Sequence, residues 1–166
     1  NLIEWLKDYP RLTKGELTVE FEKEWAKYIG TKYSVFVNSG SSANLLMVYA
    51  LKELGKLDGK VIVPSVGWVT TISPLIQFGI EPVMVDADKK TFGIDLEQTE
   101  FLLKTEEISA IIFVQVLGVP HYKEELLRLS EKYNVPLIED ACASLGSSYE
   151  DGTKAGQVGI MSTFSF

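Results

Sequence analysis

Residues 110–141 read AIIFVQVLGVPHYKEELLRLSEKYNVPLIEDA, two nearly all-apolar runs on either side of an amphipathic helix. AIIFVQV and VPLIEDA are too short and too rich in branched residues for helices, and they are apolar at consecutive positions, so both faces of each strand must be covered. HYKEELLRLSEKYN between them sets its leucines on one side and its charges on the other. Strands buried on both faces and joined by helices define a mostly parallel sheet with helices above and below.

The same alternation extends in both directions. KVIVPS, from Lys60, and PVMVDAD, from Pro82, are further strands, and KYSVFVN, from Lys32, is expected to be another. TVEFEKEWAKYIG places Phe21, Trp25, Tyr28 and Ile29 on one helical face and stops at Gly30, a residue suited to the left-handed conformation that ends helices. SANLLMVYALKEL is read as a helix with Leu45, Val48, Tyr49 and Leu51 in register. WVTTISPLIQFG is a short helix with Pro74 either early in it or kinking it, and Asp95 is the expected N-cap of LEQTEFLLK. Beyond VPLIEDA, the Asp-Gly of SSYEDGTKAGQVG marks a hairpin turn, and IMSTFSF returns to strand. The sequence shows no internal repeat and no interdomain linker.

Composition narrows the partners. The chain has 166 residues, 46% of them hydrophobic, which suits one α/β domain. A net charge of −7 without a Lys/Arg cluster argues against a nucleic-acid backbone or an anionic membrane surface as a partner. No apolar run approaches the roughly 20 residues of a membrane span, and the opening NLIEWLKDYPRL lacks the layout of a signal peptide. The single cysteine, Cys142, allows no internal disulfide and suits a reducing cytoplasm. The start at Asn1 and the β-prone ending STFSF lead to the expectation that the chain is a fragment.

In open parallel sheets, ligands bind at the carboxyl ends of strands. Three such ends carry unusual residues: NSGSSA, PSVGW and EDACAS. In the first, a helix N-terminus offers unpaired N–H groups, Gly40 permits close approach, and Ser41 and Ser42 add hydroxyls, so a phosphate fits without Lys or Arg; a plain serine N-cap is the alternative. Trp68 follows a buried strand, where it either packs in the core or stacks on a planar ligand. In LIEDACAS, alternation sends Glu139 and Asp140 to opposite sides of the strand. A buried Asp140 calls for a protonated partner, unless a helix cap or backbone donor satisfies it. Phosphate, flat ring and basic ring atom together describe pyridoxal phosphate, whose pyridine nitrogen is kept protonated by a carboxylate.

The motifs FEKEWAKYIGTKYSVFVNSGSSANLL, VIVPSVGWVTTISPLIQFGIEPVMVDAD, TFGID, AIIFVQVLGVP, YNVPLIEDACASLGSSY and GTKAGQVGIMSTFSF occur in the order and spacing of a known family. From about Gly15 to Phe166 the chain resembles the first half of the large domain of the fold-type I, pyridoxal-phosphate-dependent sugar aminotransferases of the DegT/StrS type. The resemblance implies a three-layer α/β sandwich like that of aspartate aminotransferase, here incomplete. Residues 1–166 would be the N-terminal part of the PLP-binding large domain, and the small C-terminal domain would be absent. It implies a phosphate cradle of Gly40, Ser41, Ser42 and Ser165, with Trp68 stacked on the ring and Asp140 paired with the pyridine nitrogen. The Schiff-base lysine of the family would fall a few residues past Ser165, outside the chain, leaving this segment inactive alone. The implied partners are a nucleotide-linked keto-sugar, an amino-acid donor and a second subunit in a homodimer, with no metal.

Departures from the family pattern qualify the activity. Ala143 stands where aminotransferases carry glutamine, and Gln115 where they often carry histidine. NSGSSANLL, and Leu117 with Gly118, are closer to the keto-sugar 3-dehydratases, a branch in which histidine replaces the lysine, although that branch usually has an acidic residue at Ala143. Family frequency favours amino transfer in deoxyamino-sugar biosynthesis; PLP/PMP-dependent 3-dehydration is the alternative. A non-catalytic phosphosugar-binding module is a third reading, which gives Trp68 and Asp140 no role. A hydrolase is a weaker reading still, since there is no G-x-S-x-G elbow and the only histidine is poorly placed. Other residues have plain expectations: His121 as a surface or capping residue, Cys142 as a buried small hydrophobe, Asp86 and Asp88 as turn formers. Glu139 is expected in a salt bridge, and Tyr149, Asp151 and Lys154 in solvent.

Overall fold

The computed structural model describes residues 1–166, which divide into an N-terminal unit, Asn1–Phe36, and a second unit, Val37–Phe166. The first unit holds α1 (Leu2–Lys7) and α2 (Glu16–Ile29). Gly30 ends α2 at φ 80°, and its N–H closes on the carbonyls of Ala26 and Lys27, as expected of a left-handed cap. Phe21 stacks on Trp25, and Trp25 meets Tyr28, along one face of α2. Residues 32–38 correct the sequence reading, since they form no strand. A strand exists through its ladder, and this segment turns to α2 instead: Ser34 donates its hydroxyl to the Glu22 carbonyl, the Phe36 N–H donates to the Glu22 carboxylate at 3.0 Å, and the Phe36 ring meets Phe21 edge-on.

The second unit is built on β1 (Lys60–Pro64), β2 (Glu81–Val85), β3 (Ile108–Val114), β4 (Leu137–Asp140) and β5 (Ser162–Thr163), all parallel and ordered β2-β1-β3-β4-β5. Its helices are α3 (Gly40–Glu53), α4 (Val69–Gln77), α5 (Leu96–Thr105) and α6 (Lys123–Tyr133). Alternation along the strands divides the core in two. Val61, Val63, Ala110, Ile112 and Ile138 pack with Met47, Val48 and Leu51 of α3 and Leu75 of α4. Ile62, Ile111, Phe113 and Leu137 pack on the opposite face with Leu103 of α5 and Leu126 and Leu129 of α6. The sandwich therefore has three layers, and its central strands are buried on both faces, as the apolar runs require.

Several boundaries differ from expectation. IMSTFSF gives only the two residues of β5, because β4 offers it just Glu139 and Asp140 as register partners. α6 starts at Lys123, since Pro120 precedes it and Tyr122 takes φ 55° before the first turn. Pro74 lies inside α4 and is buried. α3 buries Gly40, Asn44, Met47, Val48 and Leu51, whereas Leu45 and Tyr49 are exposed. Ranking by hydrophobicity misses that face because a polar residue occupies it, for a reason given by the site.

The chain leaves β1 through α4 to β2 on one side, then returns through α5 to β3 on the other. That reversal, between β1 and β3, is the topological switch point where ligands of such sheets bind at the carboxyl ends.

Candidate active site

The site is built around one face of α3. Ser39 is its N-cap: its Oγ accepts the Ser42 N–H at 3.1 Å and is 3.1 Å from the Ser42 hydroxyl. The capping alternative thus falls to Ser39, while Ser41 is exposed and the first-turn N–H groups of Gly40 and Ser41 lie outside the helical ladder. A methyl group at Gly40 would stand 3.0 Å from the Ser165 Cβ and 3.0 Å from the Cys142 sulfur. Gly40 is therefore needed for close approach, and Ser165, just past β5, sits at the α3 N-terminus.

One turn further on, Asn44 is buried and donates its Nδ2 to Asp140 Oδ2 at 2.9 Å. Its Oδ1 accepts the Thr163 hydroxyl at 2.6 Å. Thr71, in the first turn of α4, donates its hydroxyl to the same Asp140 oxygen at 2.6 Å, and the Cys142 N–H donates to Oδ1 at 3.1 Å. Asp140 is 3% exposed, and its donors are all neutral; no Lys, Arg or His ion-pairs with it. Trp68, the N-cap residue of α4, is 71% exposed, so core packing does not account for it. Gly40, Ser165, Asp140 and the turn carrying Trp68 are thus gathered by α3, α4 and the carboxyl ends of β4 and β5.

Glu139 faces the other side of the sheet and is fully buried. It forms no salt bridge, contrary to expectation. One carboxylate oxygen accepts Gln115 Nε2 at 3.0 Å and the Gly156 N–H at 2.7 Å; the other accepts the Val158 N–H at 3.1 Å. The backbone of the segment leading to β5 therefore wraps a fixed anion. Gln115 also donates to the hydroxyl of Tyr149, which is half-buried, and burial pushes that phenol upward in pKa. Asp151 is exposed yet paired with Lys123, whose hydrogen bond holds its carboxyl at about 2.

Two other expectations change. His121 is buried, 5% exposed, with its Nδ1 3.0 Å from the Val119 carbonyl and its ring where a Gly93 side chain would fall. Cys142 is half-buried, and burial raises its thiol to about 12, so it is not poised as a nucleophile. Asp88 shapes its turn as expected, accepting the N–H groups of Lys90 and Thr91 at 3.0 and 2.8 Å. A concavity of about 1000 Å³ lies among Trp5, Arg11, Leu12 and Lys23 of the N-terminal unit and contains none of the expected site residues.

Sequence reasoning missed Ser39, Asn44, Thr71 and Thr163. The available signal was an asparagine four residues after Gly40, on the face of an otherwise apolar helix.

Known proteins bear on this geometry. The chain is 42% identical over 169 residues to GDP-4-keto-6-deoxy-D-mannose 3-dehydratase of Yersinia pseudotuberculosis, an alignment covering 99% of the chain and 42% of that protein. It is 38% identical over 167 residues to the protein of the same name from Escherichia coli O55:H7, covering 98% and 42%. The structure of the E. coli dehydratase with bound hydrated PLP superposes with a TM-score of 0.87 at 36% identity, covering 98% of this chain and 42% of that one. The chain thus spans about two-fifths of the length of these relatives, and they favour the dehydratase alternative over amino transfer. Residues 1–166 match the model of the DegT/DnrJ/EryC1/StrS aminotransferase family, and the chain belongs to that family.

Proposed function

We propose that this chain is the N-terminal part of the PLP-binding large domain of an enzyme that removes the 3-hydroxyl of a nucleotide-linked 4-keto-6-deoxy sugar. The observation that carries the reading is Asp140, an almost fully buried carboxylate served only by neutral donors, beside an exposed tryptophan and a helix N-terminus. Such an anion fits a protonated ring nitrogen, which would supply the missing positive charge. The rest of the site fits the same molecule: Gly40 lets Ser165 close on the α3 N-terminus, where Ser41, Ser42 and Ser165 would hold a phosphate, and Trp68 would cover a ring face.

When bound, the cofactor supplies a conjugated ring that takes up the electron pair left when a proton leaves the substrate. Asp140 keeps the ring nitrogen protonated and so maintains the ring's capacity to accept electrons. The α3 dipole and the hydroxyls of Ser41, Ser42 and Ser165 would hold the phosphate and so anchor the ring. Trp68 excludes water from one face.

Names of the similar proteins support a GDP-linked sugar. The reading includes a cytoplasmic homodimer without nucleic-acid or membrane partners, supported by the family, the charge of −7 and the lack of any helix long and apolar enough to cross a membrane. Amino transfer remains the second reading, supported by the family's activity. To test it, the full-length protein is incubated with PLP, glutamate and GDP-4-keto-6-deoxymannose, and the sugar is followed by mass spectrometry. Loss of the 3-hydroxyl is expected. Gain of an amino group without that loss would establish amino transfer instead, and failure to develop a visible cofactor band would overturn both.

A further inference from the structure

Asn44 bridges the Asp140 carboxylate and Thr163 of the neighbouring strand β5 through the two ends of one amide. Its amide is locked: Nδ2 donates to the Asp140 carboxylate at 2.9 Å while Oδ1 accepts from Thr163 at 2.6 Å, and reversing it would set oxygen against carboxylate and donor against hydroxyl. Asn44, Thr163 and Asp140 are all buried, so these bonds face no competing water.

We propose that Asn44 is a positioning residue that decides where the proton shared by Asp140 and the cofactor's ring nitrogen resides. The inference rests on the cofactor reading above. Two arrangements compete for a single proton: an anionic carboxylate against a protonated ring nitrogen, and a neutral carboxylic acid against a neutral ring. A donor fixed on Oδ2 bonds the anion more strongly than the neutral acid and so favours the proton on the ring. Thr71 gives the same oxygen a second donor, but its hydroxyl can rotate away, whereas the Asn44 amide is held from behind by Thr163. The relay Thr163 to Asn44 to Asp140 also ties β5, α3 and β4 together at the point of contact with the ring.

The test uses the full-length protein loaded with PLP labelled at the ring nitrogen, whose NMR resonance separates protonated from unprotonated pyridine. In wild type the resonance is expected in the protonated range. Asn44→Leu keeps the branched shape of the side chain and removes both hydrogen bonds; the resonance is expected to move toward the unprotonated value and cofactor affinity to fall about tenfold, equivalent to about 1.4 kcal/mol. Loss of packing alone would weaken binding without moving the resonance, so a variant that binds PLP with the wild-type resonance overturns the inference. If Asn44→Leu does not fold, Thr163→Val takes its place: it leaves the amide in position but unsupported, and a smaller displacement in the same direction is expected, with none overturning the proposal. A wild-type protein that binds PLP with an unprotonated ring overturns this inference and spares the cofactor reading. One that binds no PLP overturns the cofactor reading and this inference with it.

Discussion

Replacing Asp140 with asparagine tests the site through stability, before any chemistry is measured. The substitution changes one oxygen to an NH2 group and removes the charge. Both oxygens are already occupied by donors: Asn44 and Thr71 on Oδ2 at 2.9 and 2.6 Å, and the Cys142 N–H on Oδ1 at 3.1 Å. With its nitrogen at the Oδ1 position, the new amide opposes a backbone N–H that cannot turn away. The reverse orientation opposes the Asn44 amide, which Thr163 holds. Thr71 can rotate its hydroxyl and accept, but the other donors cannot. Either orientation leaves a buried N–H without an acceptor, a loss of about 1–3 kcal/mol. Removing the buried charge recovers some desolvation energy, but the carboxylate has hydrogen bonds to both oxygens, so the donor clash is expected to prevail. In a chain as long as its relatives, of which the alignment covers 42%, a net loss of about 2 kcal/mol lowers the melting temperature by roughly 2–3 °C. Thermal melting of the full-length protein without cofactor measures it, and a second scan with PLP should show a smaller gain for the variant than for wild type. An unchanged or higher melting temperature without cofactor would refute the reasoning, since the aspartate would then not be encased by fixed donors.

Glu139→Gln should be as damaging on the other face of the sheet, because glutamine offers one acceptor oxygen where Gln115, Gly156 and Val158 require two; a loss of about 2–3 kcal/mol in urea unfolding is expected, and full retention of stability would contradict the wrapped anion. Trp68→Ala should leave stability within about 0.5 kcal/mol, since the side chain is exposed, yet weaken PLP binding about tenfold in a spectroscopic titration; equal affinities would remove Trp68 from the site. His121 carries a pH dependence. Burial lowers its pKa from 6.5, so between the lowered value and 6.5 the unfolded chain binds a proton that the folded chain does not. Its stability contribution is complete above 6.5 and declines as pH falls through that window, and melting temperatures of His121→Gln should lack this part of the slope. Coincident slopes would show that the imidazole does not titrate differently on folding.

What could be read from the sequence followed periodicity. AIIFVQV and VPLIEDA revealed β3 and β4 because strands covered on both faces leave no other arrangement, and the acids of LIED were assigned to opposite faces by parity alone. Where pairing partners lie far along the chain, local sequence is mute: KYSVFVN has the composition of a strand and no ladder to join. His121 follows a proline and precedes a charged helix, which is the pattern of a surface residue, whereas its burial depends on Gly93, twenty-eight positions earlier. The polar residues around Asp140 come from α3, α4 and β5, so only the folded chain brings them together. The motifs point to the residues proposed to face a ligand, whereas Asn44, which faces the protein, is marked only as a polar residue on an otherwise apolar helix face.

The placement of two acids on adjacent residues of β4 has a consequence for how this segment can change over evolution or design. Side chains along a strand alternate, so each acid is assigned to its chemistry by counting alone. Losing or gaining one residue between Leu137 and Asp140 would exchange the two acids between the side of Asn44 and Thr71 and the side of the Gly156–Val158 backbone. Both carry the same charge, so composition would record almost nothing. A strand of four residues pinned between β3 and β5 has no slack to restore the phase. Insertions and deletions are therefore confined to turns such as Lys89–Lys90, and β4 can vary in the identity of its residues but not in their number.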